Sequence, residues 1–294
     1  MSATSLTWGG RCIPGPDGLP AVVVSLTGPS LAQARAQAHR AIDAGADVLE
    51  LRVDLLEEAG VLTGSAPMDA AAAAGAAAAQ VLECLRGLGE AIAADGIDAD
   101  VAAPLLLTCR TAAEGGRARL DDASYGTLLR SVLDGLADWA PERRPVAIDV
   151  EVQRGCLPQV CTQAHGLGID VVASFHDFEA TPADEVLEEV LTRMAREGAD
   201  LAKIAVWPTG ADDVARLLGV CARATADAGE GTGLGVPVAA MSMGALGAVS
   251  RVAPAFGSAL TFAVVPDEQG QARASAPGQL PIQDVRRCLE LLRA

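Results

Sequence analysis

Eight short apolar runs punctuate the chain, at 21–27, 47–54, 104–110, 146–152, 170–177, 201–207, 236–243 and 258–265. Each is nearly continuous in Val, Ile, Leu and Ala rather than strictly alternating, the pattern of a parallel strand covered on both faces. Between the runs, apolar residues recur at intervals of three and four, which predicts amphipathic helices; clear cases are 30–44, 80–94, 124–136, 182–197 and 211–226. Ser30 is placed to cap the first helix, with Gly45 near its end. Thr181 and Pro182, followed by Glu185, predict an N-cap with proline at the first helical position. Strands alternating with helices in this way predict an α/β fold, a single-domain (β/α)8 barrel over residues 21–294. A doubly wound open sheet is the competing arrangement. Against it, Ser25-Leu26-Thr27-Gly28-Pro29-Ser30, which follows the first run, lacks the glycine fingerprint of a dinucleotide fold. Residues 1–20, rich in Gly and Pro, read as an N-terminal extension that lies across the bottom of the barrel or stays mobile. The stretch from Ala59 to Ala103 reads as helix plus a surface insertion around the Ala-rich tract 66–80.

Composition narrows the class. The 294 residues are 50% apolar but only 3% aromatic, so the core must be built from Ala, Val and Leu. A formal net charge of −16 argues against binding nucleic acid or an anionic membrane by bulk attraction, and an anionic ligand would need local arginines. The seven cysteines are scattered, and none forms a Cys-x-x-Cys pair. They read as free thiols in a reducing cytoplasm rather than a disulfide frame or zinc site. The apolar stretch 234–249 is broken by Pro237 and glycines, and 70–79 is too short to span a bilayer. The N-terminus lacks a basic segment followed by an apolar core, so no signal peptide is expected.

Candidate chemistry sits at the ends of the predicted strands, where a barrel builds its site. Of 22 Lys plus Arg, Lys203 is the single lysine, inside the apolar run 201–207. Lysine, unlike arginine, can lose its proton when desolvated and attack a carbonyl, so an isolated apolar lysine suggests Schiff-base chemistry. A lysine that only snorkels its charge to water is the bland alternative. Glu50, Arg52 and Asp54 share one face by period two, either as site residues or as a structural ion-pair layer. Arg110 precedes Glu114, whose following glycines suit a tight turn. His176 ends the fifth run, while His39 and His165 fall in helical, exposed-looking stretches. A lone histidine is more often structural, but one beside the lysine strand can move a proton at neutral pH. Arg251 and the polar loop 275–279 follow the last two runs. An iminium at Lys203, a base at His176, a carboxylate such as Glu114 to orient it and arginines to clamp a carboxylate form a coherent set, with no metal or cofactor needed.

The motifs Glu50-Leu51-Arg52-Val53-Asp54, Arg110-x-x-x-Glu114-Gly115-Gly116, Ser174-x-His176-Asp177-Phe178, Lys203-Ile204-Ala205, Met241-Ser242-Met243-Gly244-x-x-Gly247-x-x-Ser250-Arg251 and Ser275-Ala276-Pro277-Gly278-Gln279 resemble, in family order, those of the type I 3-dehydroquinate dehydratases. The resemblance covers about residues 21–292. It implies a (β/α)8 barrel, usually dimeric, that dehydrates 3-dehydroquinate to 3-dehydroshikimate in the shikimate pathway. It further implies Lys203 as the Schiff-base lysine, His176 as the base and Glu114 as its support. Arg251 would hold the substrate carboxylate, and Ser25, Glu50, Arg52, Arg110, Ser275 and Gln279 would bind the substrate, the last two on a closing loop. The region between Asp54 and Pro104 departs from the family by its length. Two other readings share the fold: a class I aldolase or transaldolase-like enzyme acting on sugar phosphates, and a barrel without activity that binds a metabolite.

Overall fold

The computed structural model describes residues 4–62, 70–94, 103–226, 233–267 and 269–293. A small hairpin comes first, β1 (Leu6–Trp8) and β2 (Arg11–Ile13), antiparallel with Trp8 opposite Arg11. The barrel strands follow: β3 (Ala21–Leu26), β4 (Val48–Arg52), β5 (Leu105–Thr108), β6 (Ala147–Glu151), β7 (Asp170–Asp177), β8 (Leu201–Val206), β9 (Val238–Ser242) and β10 (Leu260–Val264). They pair in parallel in the order β10-β3-β4-β5-β6-β7-β8-β9, and the short β11 (Leu280–Pro281) adds to β10. Ala259 N–H donates to Val238 O at 2.7 Å, so the two ends of the sheet meet and the barrel closes.

All eight runs are thus strands; 170–177 holds over its whole length and the other seven are trimmed at one or both ends where the pairing stops. The helices between them are α1 (Leu31–Asp43), α2 (Ala70–Ala94), α3 (Asp122–Leu136), α4 (Leu157–His165), α5 (Asp184–Arg196) and α6 (Ala211–Ala224), with α7 (Ile282–Leu291) last. Ser30 caps α1 by accepting from Gln33 N. The predicted cap of α5 is displaced: Ala183 occupies that position, and Thr181 Oγ1 instead donates to Trp207 O at 3.0 Å. Asp184 and Glu185 in the first turn complement the helix dipole where no side chain caps it. Helix α2 begins ten residues before the predicted 80–94 because alanine sustains a helix without an amphipathic signature. Residues 66–69 of the expected insertion, and 63–65 and 95–102 of the wider stretch, lie outside the described residues. Between β9 and β10 two 3-10 turns, Ala248–Val252 and Pro254–Phe256, stand where another helix was anticipated by the alternation.

Strand residues alternate between two layers. Outward positions such as Val22, Val24, Leu49, Leu51, Ile148, Val150, Ile204 and Val206 pack against the helices. Inward positions near the strand starts, among them Val23, Val48, Leu106, Ala147, Val172, Leu201 and Leu260, fill the barrel bottom together with Trp8 and Ile13 of the hairpin. Trp8 is buried, and its Nε1–H donates to Asp170 Oδ2 at 2.8 Å. The first residues therefore plug the barrel from below. The next inward positions up the strands are polar: Ser25, Glu50, Arg52, Thr108, Asp149, Glu151, Ser174 and Lys203 are all buried. An apolar floor under a polar upper layer is how the fold seals its site away from the lower solvent.

Candidate active site

Pairing register sets the centre of the site. Glu151 lies opposite Ser174 and Ser174 opposite Lys203, so three neighbouring strands present polar inward side chains at one level. Lys203 is 4% exposed. Its Nζ lies 3.3 Å from Asp149 Oδ2, 3.8 Å from Glu50 Oε1 and 4.4 Å from the ring centre of Phe262. Glu50 is fixed from both sides, accepting from Thr108 Oγ1 at 2.9 Å and from Ser25 Oγ.

Arg110 is the electrostatic hub. It donates to Asp149 Oδ1 at 2.8 Å, to Glu151 Oε1 at 3.1 Å and to Ser174 Oγ at 2.9 Å, and approaches Glu114 Oε2 at 3.5 Å. Burial works against its charge, but Asp149, Glu151 and Glu114 outweigh it and hold its pKa well above the ordinary value. For Asp149, burial opposes ionisation; Arg110, Lys203 and the Ser174 hydrogen bond overcome it, so its pKa falls and it stays a carboxylate.

His176 and Glu114 make the second centre. His176 Nδ1 lies 2.9 Å from Glu114 Oε2. Burial, reinforced by Arg110, Lys203 and Arg52, pushes the imidazole well below its usual pKa, so the ring is neutral at working pH. Burial raises Glu114 to about 8, Arg110 opposing and Glu151 and Asp149 adding to the rise. The pair therefore titrates as a unit that resists carrying a second proton on the ring. With Nδ1 engaged, Nε2 is the nitrogen left to meet a ligand.

Arg251 forms the third centre. Ser250 Oγ accepts from Ser242 N at 2.9 Å and donates to Gly247 O at 2.7 Å, which folds the turn inward and buries the next side chain. Arg251 is 1% exposed, yet among the described residues only its Nη2 finds an acceptor, Pro277 O at 3.0 Å. Its Nε and Nη1 are buried without partners, and desolvation lowers its pKa to about 10. Stranded guanidinium donors beside a cavity are a receptor for an anion.

The loop 275–279 closes over these centres. Ser275 Oγ donates to Ser25 Oγ at 2.8 Å, Gln279 braces Ser275 through 2.9 Å bonds to its N and Oγ, and Gly244 N–H donates to Pro277 O at 3.1 Å. Gly278 has φ +81°, and a Cβ there would stand 2.2 Å from Gly244 O, so only glycine allows this seat.

Nine of the ten sequence-derived residues line one cavity: Glu50, Arg52, Arg110, Glu114, His176, Lys203, Arg251, Ser275 and Gln279. Ser25 sits at its edge, bonded to Glu50 and Ser275. Sequence reasoning passed over Asp149, Glu151 and Phe262. The signal for the two acids was present, since they interrupt the apolar run 146–152 at alternate positions as Glu50 and Arg52 do in theirs. His39, read as exposed, is half-buried on α1, whereas His165 is exposed and pairs with Asp200 at 2.8 Å.

Known proteins are similar to this chain in sequence and fold. The type I 3-dehydroquinase family profile matches residues 22–294. The 3-dehydroquinate dehydratase of Klebsiella pneumoniae subsp. pneumoniae is 35% identical over 275 residues, 92% of each chain. That of Salmonella choleraesuis is 35% identical over 280 residues, 94% of each. Among solved structures, the type I enzyme of Clostridium difficile with covalently modified comenic acid superposes with a TM-score of 0.78 at 28% identity, covering 98% of both chains. The 3-dehydroquinate dehydratase of Geobacillus kaustophilus gives 0.77 at 28% identity, covering 98% of this chain and 96% of its own. A profile match running almost the full length of the barrel, over a cavity centred on a buried lysine, places the chain in the type I 3-dehydroquinase family.

Proposed function

We propose that Lys203 carries the dehydration of 3-dehydroquinate to 3-dehydroshikimate in this chain. Its amine adds to the C3 ketone and loses water to form an iminium, with Asp149 and Glu50 close enough to exchange the protons involved. The iminium acidifies C2. His176 Nε2 takes a C2 proton, the electron pair collapses to an enamine, and the same imidazolium then protonates the C1 hydroxyl as it leaves as water. Hydrolysis of the iminium returns the ketone and the free amine. Glu114 holds His176 by its Nδ1. Arg251 takes the substrate carboxylate with its unused Nε and Nη1 donors. Ser25, Glu50, Arg52, Arg110, Ser275 and Gln279 surround the hydroxyls and the carboxylate.

One observation carries this reading: the chain's single lysine is buried inside the barrel, within reach of two carboxylates and in the same cavity as a neutral histidine. Family membership favours it over a sugar-phosphate aldolase. The seven free thiols suit a cytoplasmic location, and among the described residues no helix is long and apolar enough to cross a membrane. The acidic charge disfavours nucleic-acid partners. A homodimer is proposed from the family resemblance.

The test is borohydride reduction in the presence of 3-dehydroquinate, followed by peptide mass spectrometry. A reduced adduct on Lys203, absent from Lys203→Ala along with turnover, supports the assignment. Turnover without an adduct refutes it.

A further inference from the structure

Asp54 stands just past β4, fully buried, and touches none of the cavity. It nevertheless holds two parts of the site at once. Its carboxylate takes Arg52 in a fork, Oδ1 from Nε and Oδ2 from Nη2, both at 2.8 Å. Each oxygen also accepts a main-chain N–H: Oδ1 from Arg110 at 3.2 Å and Oδ2 from Arg117 at 3.1 Å. Arg110 and Arg117 are the two feet of the loop that carries Glu114. The loop is narrow at its base, with Ala118 N–H on Arg110 O, Ala112 N–H on Ala118 O and Gly116 packed against Arg110 O, where a Cβ would stand 2.1 Å away. Glu114 reaches His176 from the tip of this loop.

We propose that Asp54 is a positioning residue for the dehydration: by clamping the Arg52 guanidinium and both feet of the 110–117 loop, it sets where Arg52 meets substrate and where Glu114 meets His176. This rests on the proposed roles of Lys203, His176 and Glu114. A carboxylate in the dry interior with four charge-assisted or main-chain donors is stiff, because no water competes for its lone pairs. The fork uses Nε and Nη2 of Arg52 and leaves Nη1 for the cavity that Arg52 lines. Among the described residues no other acceptor takes the Arg52 fork. The largest charge effects on Glu114 come from Arg110, Glu151, Asp149 and Arg154, and those on His176 from Arg110, Lys203 and Arg52.

The test is Asp54→Asn, alone and combined with Glu114→Gln, in the full-length enzyme. Asparagine keeps the shape but can accept on one oxygen only, so it cannot hold the fork and both feet. The expected result is KM raised through Arg52, kcat lowered about 10- to 100-fold by a misplacement of the order of 1 Å, and a displaced pH profile of kcat. On the Glu114→Gln background the further loss of kcat should shrink to less than about three-fold, since coupled residues are non-additive. Borohydride trapping on Lys203 should persist. An unchanged pH profile, or full additivity with Glu114→Gln, overturns the proposal while trapping continues to support the Schiff base. Loss of trapping in the parent enzyme instead overturns the reading on which it rests. If Asp54→Asn does not fold, Arg52→Lys decides through the pH profile of kcat, because its KM also reports the lost substrate contact: lysine keeps the charge but cannot take the fork, so a displaced profile supports the clamp and an unchanged one overturns it.

Discussion

Replacing Arg251 by methionine should make the free protein more stable and the enzyme much worse. The guanidinium is buried, one of its donors reaches Pro277 O, and the other two nitrogens named above have no acceptor. Against the ordinary value of 12.5, a pKa of about 10 converts to about 3 kcal/mol of penalty on the charged form, at ~1.4 kcal/mol per pH unit. At a working pH of about 7.5 the charge is present in folded and unfolded chains alike, so the whole penalty opposes folding. Methionine fills the space without a charge. It forfeits the bond to Pro277 O, ~2 kcal/mol for a charged donor, although that oxygen keeps Gly244 N–H. The net gain is about 1 kcal/mol, or a rise in Tm of ~2–4 °C for a chain of this size. Catalysis moves the other way. A buried carboxylate left without its arginine loses ~2–5 kcal/mol, so kcat/KM should fall about 10²- to 10³-fold or more. The assay is thermal unfolding of both proteins, free and with 3-dehydroshikimate, beside steady-state kinetics. The parent should gain Tm with ligand and the variant should not. A variant that melts below the parent without ligand would refute the reasoning, because the guanidinium would then be stabilising the fold instead of waiting for an anion.

His176→Ala should still trap substrate on Lys203 under borohydride yet stall before product; a variant that cannot form the adduct would make His176 a binding residue rather than the base. Glu114 has a raised pKa, so its contribution to stability is full below about 4.5 and is lost as pH rises through about 8. His176 has a lowered pKa, so its contribution is present above about 6.5 and is lost as pH falls below it. The two offset each other between their ordinary values. Between pH 6.5 and 8 only Glu114 acts, and stability should decline by up to about 2 kcal/mol. Urea midpoints across that window should show the decline in the parent and a flatter line in Glu114→Gln; equal slopes would remove Glu114 as the cause. Gly278→Ala should raise KM by preventing the loop from seating on Gly244, with Tm little changed; wild-type KM would show that closure there is not needed.

The barrel strands were legible because each is a continuous apolar run, and parallel strands buried on both faces have few other ways to be written. The strand-end chemistry was legible because Glu50, Arg52, His176 and Lys203 interrupt such runs. Asp149 and Glu151 broke their run in the same way and were passed over, since acids two apart in a strand look like any ion-pair layer until Lys203 is seen beside them. The hairpin at 6–13 was not legible: three-residue strands carry no period, and what fixes them is Trp8 finding a hole in the barrel floor. The turns between β9 and β10 show tertiary need over local pattern, because the chain there must deliver Arg251 inward rather than cover the sheet with a helix. Asp54 shows the same limit from the other side. Its place in a motif is visible in sequence, but its grip on the feet of a loop more than fifty residues away is a fact of three dimensions.

A chain whose one lysine stands at its reactive centre carries its own assay. A lysine-specific endoprotease can cut the unfolded polypeptide only after Lys203, giving two fragments, and it needs a free side-chain amine to do so. Chains reduced onto a ligand lose that cleavage site and stay whole. The ratio of intact to cleaved polypeptide on a denaturing gel therefore reads the fraction of centres that formed the adduct, without radiolabel or mass spectrometer. The same economy leaves acylating dyes and aldehyde crosslinkers no side-chain amine but Lys203, beside the terminal α-amine, so labelling mapped to Lys203 would report on the opening of loop 275–279.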